Sequence, residues 1–239
     1  MPTQMGLQDH LTELRKSLIL PLVIASLITV LSATSENLVS WMEWWIELYD
    51  ETTEESLFIY SPYDWYVLKW SAAILLGITC AHPFLCFNLW KFVEPGLIEN
   101  EKSVVSSLFI AITVLLPLSV ITIVFASPSI AYSAVYSDQI SGVSTAIDSV
   151  SIASMAVSLS WISVVLILLT GLLCAIKAVT PPGEGRDGVR IRLHVIFAGI
   201  LFLILSSGYE GMRIIIIFTV GIISETISEL IPVKSGESP

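Results

Sequence analysis

Charged residues are scarce in this 239-residue chain: they make up 13% of it, whereas hydrophobic residues make up 54%. A soluble domain carries about a quarter charged residues, and the mean hydropathy here is +0.82. Several apolar runs reach the roughly 20 residues needed to cross about 30 Å of hydrocarbon. A soluble fold would have to bury all of these runs at once, so the composition indicates an integral membrane protein.

Signatures of catalysis are also missing. The sequence contains no GxGxxG, GxxxxGK[ST], HExxH or GxSxG pattern. The three cysteines have no CxxC spacing and are an odd number, which argues against a disulfide framework or a metal site. The histidines, His10, His82 and His194, lie far apart in the chain. We therefore predict a protein that is not an enzyme and has no cofactor, metal site or nucleic-acid partner.

The apolar runs predict a single all-α membrane domain over residues 1–239 with six transmembrane helices. The predicted spans cover about residues 17–33, 65–90, 104–126, 150–176, 193–205 and 212–230. The last two are short, and the polar segment 206–211 between them predicts a hairpin turn. One buried helix with a break is the alternative. The polar residues 1–16 and the long first run give no indication of a secretory signal peptide.

The distribution of basic residues predicts the orientation. Lysine and arginine are absent from residues 34–61 and 127–149. Because basic residues favour cytoplasmic loops, we expect these two segments to be extracytoplasmic and the loops at 91–103 and 177–192 to be cytoplasmic. An even number of spans then leaves both termini in the cytoplasm, and most of the net charge of -10 lies in acidic outer segments.

Two further patterns leave their structural role open. Trp41, Trp44, Trp45 and Leu48 share one face of a helix in the first outer segment. Such a face suits the membrane interface, but packing against the spans explains it equally well. Glu225 and Glu229 are predicted to lie at the interface near the cytoplasmic end of the last span.

Carboxylates cluster on the predicted cytoplasmic side. Glu13 precedes the first span, and the first cytoplasmic loop carries Glu94, Glu99 and Glu101. Arginine is bound best by bidentate, charge-assisted hydrogen bonds to planar oxyanions. These acids could therefore hold a segment with paired arginines. The alternative is a solvated loop in which they pair with its own lysines, Lys91 and Lys102.

The motifs on this side resemble a known family, and they occur in the same order as in that family. Residues 10–15, HLTELR, resemble the HLxELR start of TatC, the multispanning subunit of the twin-arginine protein translocase. Ser61-Pro62 and Leu68-Lys69 resemble the entry to its second span, and Pro83 with residues 87–90, FNLW, resembles P-x3-YQxW. Residues 92–97, FVEPGL, followed by Glu101-Lys102, resemble WxFxxPGLxxxE[RK].

The resemblance implies a receptor that binds twin-arginine signal peptides of folded proteins. It implies export together with single-span TatA/TatB-type subunits, driven by the proton-motive force. It also implies a homo-oligomer within a complex, in contact with lipid in the cell (plasma) membrane. The signal-peptide-binding residues that it implies are Glu13, Leu14, Arg15, Phe92, Pro95 and Glu101.

The chain departs from the family pattern at four places, one of which is a spacing from Lys69 to Pro83 that is about two residues longer than in the family. The other three are single residues or short segments. Ser17 stands where the family usually has a basic residue, the fourth span lacks the family's frequent glutamate, and residues 206–210 replace its TPPD-like turn. A secondary transporter of a small solute is the alternative function, since Pro117 and the broken final hairpin could mark discontinuous helices. That function would call for inverted repeats and midplane charges, neither of which is clear here.

Overall fold

The computed structural model describes residues 7–50, 57–58, 61–137, 147–180, 183–205 and 209–231. Seven α-helices make up nearly all of this part of the chain. They are α1 (Leu7–Thr34), α2 (Glu36–Asp50), α3 (Pro62–Val93), α4 (Glu99–Ser137), α5 (Ser149–Val179), α6 (Glu184–Ile204) and α7 (Arg213–Leu230). Two two-residue segments, β1 (Leu57–Phe58) and β2 (Ile147–Asp148), pair in parallel. The fold is therefore all-α apart from this one short pairing, as expected.

Helix α1 packs mainly on α3, and the contact depends on a glycine. A Cβ atom built on Gly77 would overlap Thr29 Oγ1 and would lie 2.6 Å from the carbonyl oxygen of Ala25. Only a residue without a side chain lets the two backbones approach this closely, which is how small residues join helices in membranes. Helix α3 begins at Pro62, where Ser61 Oγ accepts a hydrogen bond from the Asp64 N–H at 3.3 Å.

Helix α5 is the central element, since it contacts α3, α4, α6 and α7. Buried residues of α5 take part in four apolar clusters with neighbouring elements. Polar side chains add hydrogen bonds between helices: Trp161 Nε1 donates to Ser71 Oγ at 3.2 Å, and Ser119 Oγ lies 3.2 Å from Ser163 Oγ. Ser163, in the fourth predicted span, thus forms a hydrogen bond with a neighbouring helix, α4.

The tryptophan stripe of α2 divides between two environments. Trp45 is buried, and its indole N–H donates to the carbonyl oxygen of Val124 at 2.9 Å. Trp41 and Trp44 stay exposed, and Trp44 meets Phe125 edge to face with ring centroids 6.5 Å apart. Packing therefore accounts for one tryptophan of the stripe, and the other two face outward. The Leu48 side chain lies outside the described residues.

By length and composition, four helices are long and apolar enough to cross a membrane: residues 12–34, 62–96, 101–130 and 150–179. Helices α6 and α7 fall outside this group among the described residues, because both carry several charges within a short length. Six spans therefore remain a prediction, although helices occupy all six predicted positions. Part of the predicted hairpin turn, residues 206–208, lies outside the described residues.

Some helices are longer than the spans that the hydrophobic runs predicted. Helix α4 continues without a break through Pro117 and Pro128 to Ser137. Helix α6 already begins at Glu184, within the predicted loop 177–192. Hydropathy marks where apolar side chains stop, whereas a helical backbone continues into polar surroundings as long as its hydrogen bonds are made.

Candidate functional site

The connection between α3 and α4 is short and has a defined conformation. A 3-10 turn at Glu94–Gly96 follows α3, and the Leu97 N–H donates to the carbonyl oxygen of Glu94 at 3.3 Å. Pro95 sits inside this turn, where its fixed φ angle suits the tight conformation. We call residues 94–98 the α3–α4 loop.

An apolar contact holds the loop against the bundle. Leu97 is buried in a cluster with Val105 and Ala178, and the aromatic rings of Trp90 and Phe109 pack edge to face at 6.0 Å. Burying Leu97 contributes about 1.5–3 kcal/mol relative to leaving it exposed. The neighbouring polar residues of the loop are thereby held at the surface, where Pro95 is exposed.

Glu101 has a defined local role at the start of α4. Its Oε2 atom accepts a hydrogen bond from the Ile98 N–H at 3.2 Å, while the N–H groups of Glu101 and Lys102 both donate to the Ile98 carbonyl oxygen at 2.9 Å. This is the glutamate half of a helix capping box. The bond orients the carboxylate and uses one of its oxygens, while Oε1 makes no hydrogen bond among the described residues.

The two lysines of the predicted cytoplasmic loop, Lys91 and Lys102, have partners other than Glu101. Lys102 Nζ lies 3.5 Å from a carboxylate oxygen of Glu99, whose side chain is 91% exposed, and Lys91 Nζ lies 4.3 Å from the centre of the Phe87 ring. The solvated-loop interpretation therefore describes Glu99. It does not describe Glu101, which forms no ion pair with either lysine in the described part of the chain.

The amino-terminal half of the predicted site lies on α1. Glu13 and Arg15 are exposed and Leu14 is half-buried. Two residues further on, the Ser17 carbonyl oxygen accepts a hydrogen bond from Asn88 Nδ2 at 3.2 Å. Asn88 belongs to the last turns of α3, just before Phe92. The fold thus brings the two halves to the same end of the bundle through this bond.

The six predicted residues make no hydrogen bond or ion pair with one another among the residues described. Phe92 is half-buried, Pro95 is exposed and Glu101 is half-buried. The arrangement is a partly exposed surface that carries two carboxylates, Glu13 and Glu101. Chemically it suits the recognition of a cationic segment by surface hydrogen bonds.

A second polar cluster was missed by sequence reasoning, which predicts a loop position for Arg190 and an interfacial one for Glu225. Arg190 is 7% exposed, and its Nη2 donates to Glu225 Oε1 across α6 and α7. His194 Nδ1 is 2.9 Å from the Arg190 carbonyl oxygen and must carry its proton there, since that oxygen only accepts. His194 Nε2 is 3.6 Å from Glu225 Oε2. The signal in the sequence that could have indicated this cluster is the spacing of Arg190 and His194, which lie one turn apart on α6.

This cluster borders a groove between α5, α6 and α7 of about 710 Å³. The groove is lined mainly by apolar side chains, with Asp187, Arg190, His194 and Glu225 as its charged or titratable residues. Among the described residues no group of three or more His, Cys, Asp or Glu side chains is arranged to hold a metal ion.

Comparison with known proteins identifies the family. A family profile described as "Sec-independent protein translocase protein (TatC)" matches residues 9–204. The chain is 31% identical over 113 residues to TatCy of Bacillus subtilis (strain 168) and 33% identical over 98 residues to TatC of Deinococcus radiodurans. These alignments cover 47% and 39% of this chain and 43% and 36% of the relatives, so the chain spans less than half the length of the curated relatives it matches.

The fold is also similar to that of a solved structure. The crystal structure described as twin arginine translocase receptor TatC has a TM-score of 0.60 with this chain at 16% identity. The similarity covers 92% of this chain and 98% of that one, and at this identity it shows the fold alone. The match over residues 9–204 shows that the chain belongs to the TatC family of Sec-independent protein translocase proteins, which are multi-pass membrane components of a translocase and not enzymes.

Proposed function

We propose that this chain is the receptor and core subunit of a twin-arginine translocase. It binds twin-arginine signal peptides of folded proteins at its cytoplasmic face. It exports the cargo with single-span TatA/TatB-type partners, using the proton-motive force. The proposal includes six spans with both termini in the cytoplasm of a plasma membrane, and a homo-oligomer within the complex.

The observation that carries the proposal is the orientation of Glu101. The Ile98 N–H holds one carboxylate oxygen at 3.2 Å, so the side chain loses little further freedom when a ligand binds. Glu101 and Glu13 would each accept hydrogen bonds from one guanidinium of the arginine pair. Leu14, Arg15, Phe92 and Pro95 would shape the surface around them.

The short apolar runs of the last two predicted spans, 193–205 and 212–230, support the second half of the proposal. Spans below the usual length thin the bilayer locally, which would favour the docking of single-span partner subunits against them. The transporter alternative loses one of its two signals, because α4 continues unbroken through Pro117.

The test uses variants that remove charge but keep size and the capping bond. Glu13→Gln with Glu101→Gln should reduce photo-crosslinking of a twin-arginine signal peptide roughly tenfold or more, since two charge-assisted bonds become neutral ones. The amide introduced by Glu101→Gln retains an acceptor for the Ile98 N–H, so the loop should keep its shape. Undiminished labelling of this double variant would rule out the assigned site.

Two controls complete the test. Glu99→Gln alters an exposed acid that pairs with Lys102 and should leave labelling unchanged. A peptide with Lys-Lys in place of Arg-Arg should label the wild type weakly, because an ammonium cannot make the bidentate contact of a guanidinium.

A further inference from the structure

Pro21 leaves a hydrogen-bond acceptor open in α1. In an α-helix the carbonyl oxygen of a residue accepts from the N–H four residues later. The residue four positions after Ser17 is Pro21, which has no N–H. The Ser17 carbonyl therefore lacks its helical donor, in a region where an unpaired backbone group costs free energy.

The donor comes from another helix. Asn88 Nδ2 on α3 lies 3.2 Å from the Ser17 oxygen, and Asn88 is half-buried. Because the acceptor is a carbonyl, the amide nitrogen of Asn88 and not its oxygen must face it. A proline on one helix and an asparagine on the next thus form a single inter-helix connection.

The same arrangement occurs at a second proline, one of the four that lie inside α1, α3 and α4. Pro128 on α4 lacks the N–H that would serve the carbonyl oxygen of Val124. That oxygen accepts from the indole N–H of Trp45 on α2 at 2.9 Å, and from Ser127 Oγ at 2.9 Å. In both cases the carbonyl opened by a proline accepts an N–H from the side chain of a different helix.

The position of the first connection gives it a functional meaning. Ser17 follows Arg15 by two residues, and Asn88 precedes Phe92 by four. The bond therefore joins the two halves of the site proposed above, close to both of them. Glu13 and Glu101 make no direct contact that would hold their relative position in the described structure.

We propose that Asn88 is a positioning residue for signal-peptide recognition: through the carbonyl that Pro21 leaves open, it holds the α1 end of the site at a set distance from the α3–α4 loop. This inference rests on the proposed function of that site. It assigns to Asn88 no contact with the peptide.

The experiment combines Asn88→Leu, which keeps the size but removes the donor, with Pro21→Ala, which restores a helical N–H to the Ser17 carbonyl. Asn88→Leu should weaken signal-peptide binding roughly tenfold and lower the melting temperature. Pro21→Ala with Asn88→Leu should recover the melting temperature, because the carbonyl is paired again, but not the affinity. Asn88→Gln, which keeps an amide, should bind nearly as the wild type does.

A distance measurement separates this proposal from the function on which it rests. Nitroxide labels at the exposed positions Lys16 and Gly96, in a background without Cys80, Cys86 and Cys174, report the spacing of α1 and the loop by pulsed electron resonance. The distribution should broaden in Asn88→Leu and in the double variant, whether or not a signal peptide binds. The positioning role is wrong if Asn88→Leu changes neither the affinity nor the distance distribution. It is also wrong if the double variant regains the wild-type affinity and distance distribution, or if adding Pro21→Ala to Asn88→Leu does not recover the melting temperature.

Discussion

The ammonium nitrogen of Lys177, in the last turn of α5, lies 3.0 Å from the carbonyl oxygen of Ser228 on α7. It also lies 3.0 Å from the carbonyl oxygens of Glu229 and Ile231. The last carbonyls of a helix have no partner within the helix, and a cation there also interacts favourably with the helix dipole. One lysine therefore caps α7 from a neighbouring helix.

We predict that Lys177→Met destabilises the protein by about 2 kcal/mol, since hydrogen bonds to a charged donor contribute about 1.5–3 kcal/mol. Hydrogen exchange should accelerate in the last turn of α7 and remain unchanged in α1. Lys16→Met is the matched control, because the Lys16 side chain is exposed on α1 and makes no hydrogen bond among the described residues. Equal effects of the two substitutions would contradict the capping role.

Gly77→Ala should destabilise the protein by about 1–3 kcal/mol, because the added methyl would overlap Thr29 Oγ1 and the Ala25 carbonyl on α1. Gly199→Ala provides a control of opposite sign. No heavy atom lies within 4 Å of a Cβ built on Gly199, so alanine should stabilise α6 by about 0.5–1 kcal/mol. Chemical unfolding in detergent micelles measures both. A neutral Gly77→Ala would show that α1 and α3 are not in close contact.

Glu225→Leu should cost about 2–3 kcal/mol, because it leaves the buried Arg190 guanidinium without its partner. This is below the cost of about 3–5 kcal/mol for breaking a fully buried pair, since the Glu225 side chain is 36% exposed. Arg190→Leu together with Glu225→Leu should recover most of the loss, because no uncompensated charge remains. A double-mutant cycle measures the coupling, and purely additive effects would exclude a functional ion pair between α6 and α7.

Trp45→Phe should destabilise the protein by about 0.5–1.5 kcal/mol beyond the effect of the smaller ring, because the Val124 carbonyl loses its indole donor. The effect is modest, since Ser127 Oγ continues to donate to the same oxygen. In a Pro128→Ala background a backbone N–H serves this oxygen, so Trp45→Phe should cost less there. Thermal unfolding of the four combinations measures the coupling, and Trp44→Phe is the exposed control.

Local sequence motifs predicted the family and the helices well. The order of HLTELR, FNLW and FVEPGL along the chain carried the resemblance to TatC, which the match over residues 9–204 confirms. The apolar runs predicted the positions of the long helices because hydrophobic length is a property of consecutive residues. The capping role of Glu101 is local in the same sense, since Ile98 and Glu101 are three residues apart.

Contacts between distant residues could not be predicted in this way. Arg190 and Glu225 are 35 residues apart, and a buried pair looks the same in sequence as a loop cation and an interfacial acid. Asn88 and Ser17 are 71 residues apart, so nothing in the sequence around either residue predicted the bond between them. The binding role of the six site residues stays a prediction.

The sequence by itself determined the class of protein, the family and the candidate recognition surface, because composition, hydrophobic length and ordered motifs are all read along the chain. Only the tertiary structure decided which polar groups meet between helices: Asn88 with Ser17, Trp45 with Val124, Lys177 with the end of α7, and Arg190 with Glu225. The physical reason is that an unpaired polar group costs free energy in an apolar surrounding, which favours packings that give buried polar groups a partner. Which partner it finds depends on how the helices pack, and that packing is set by the whole chain at once.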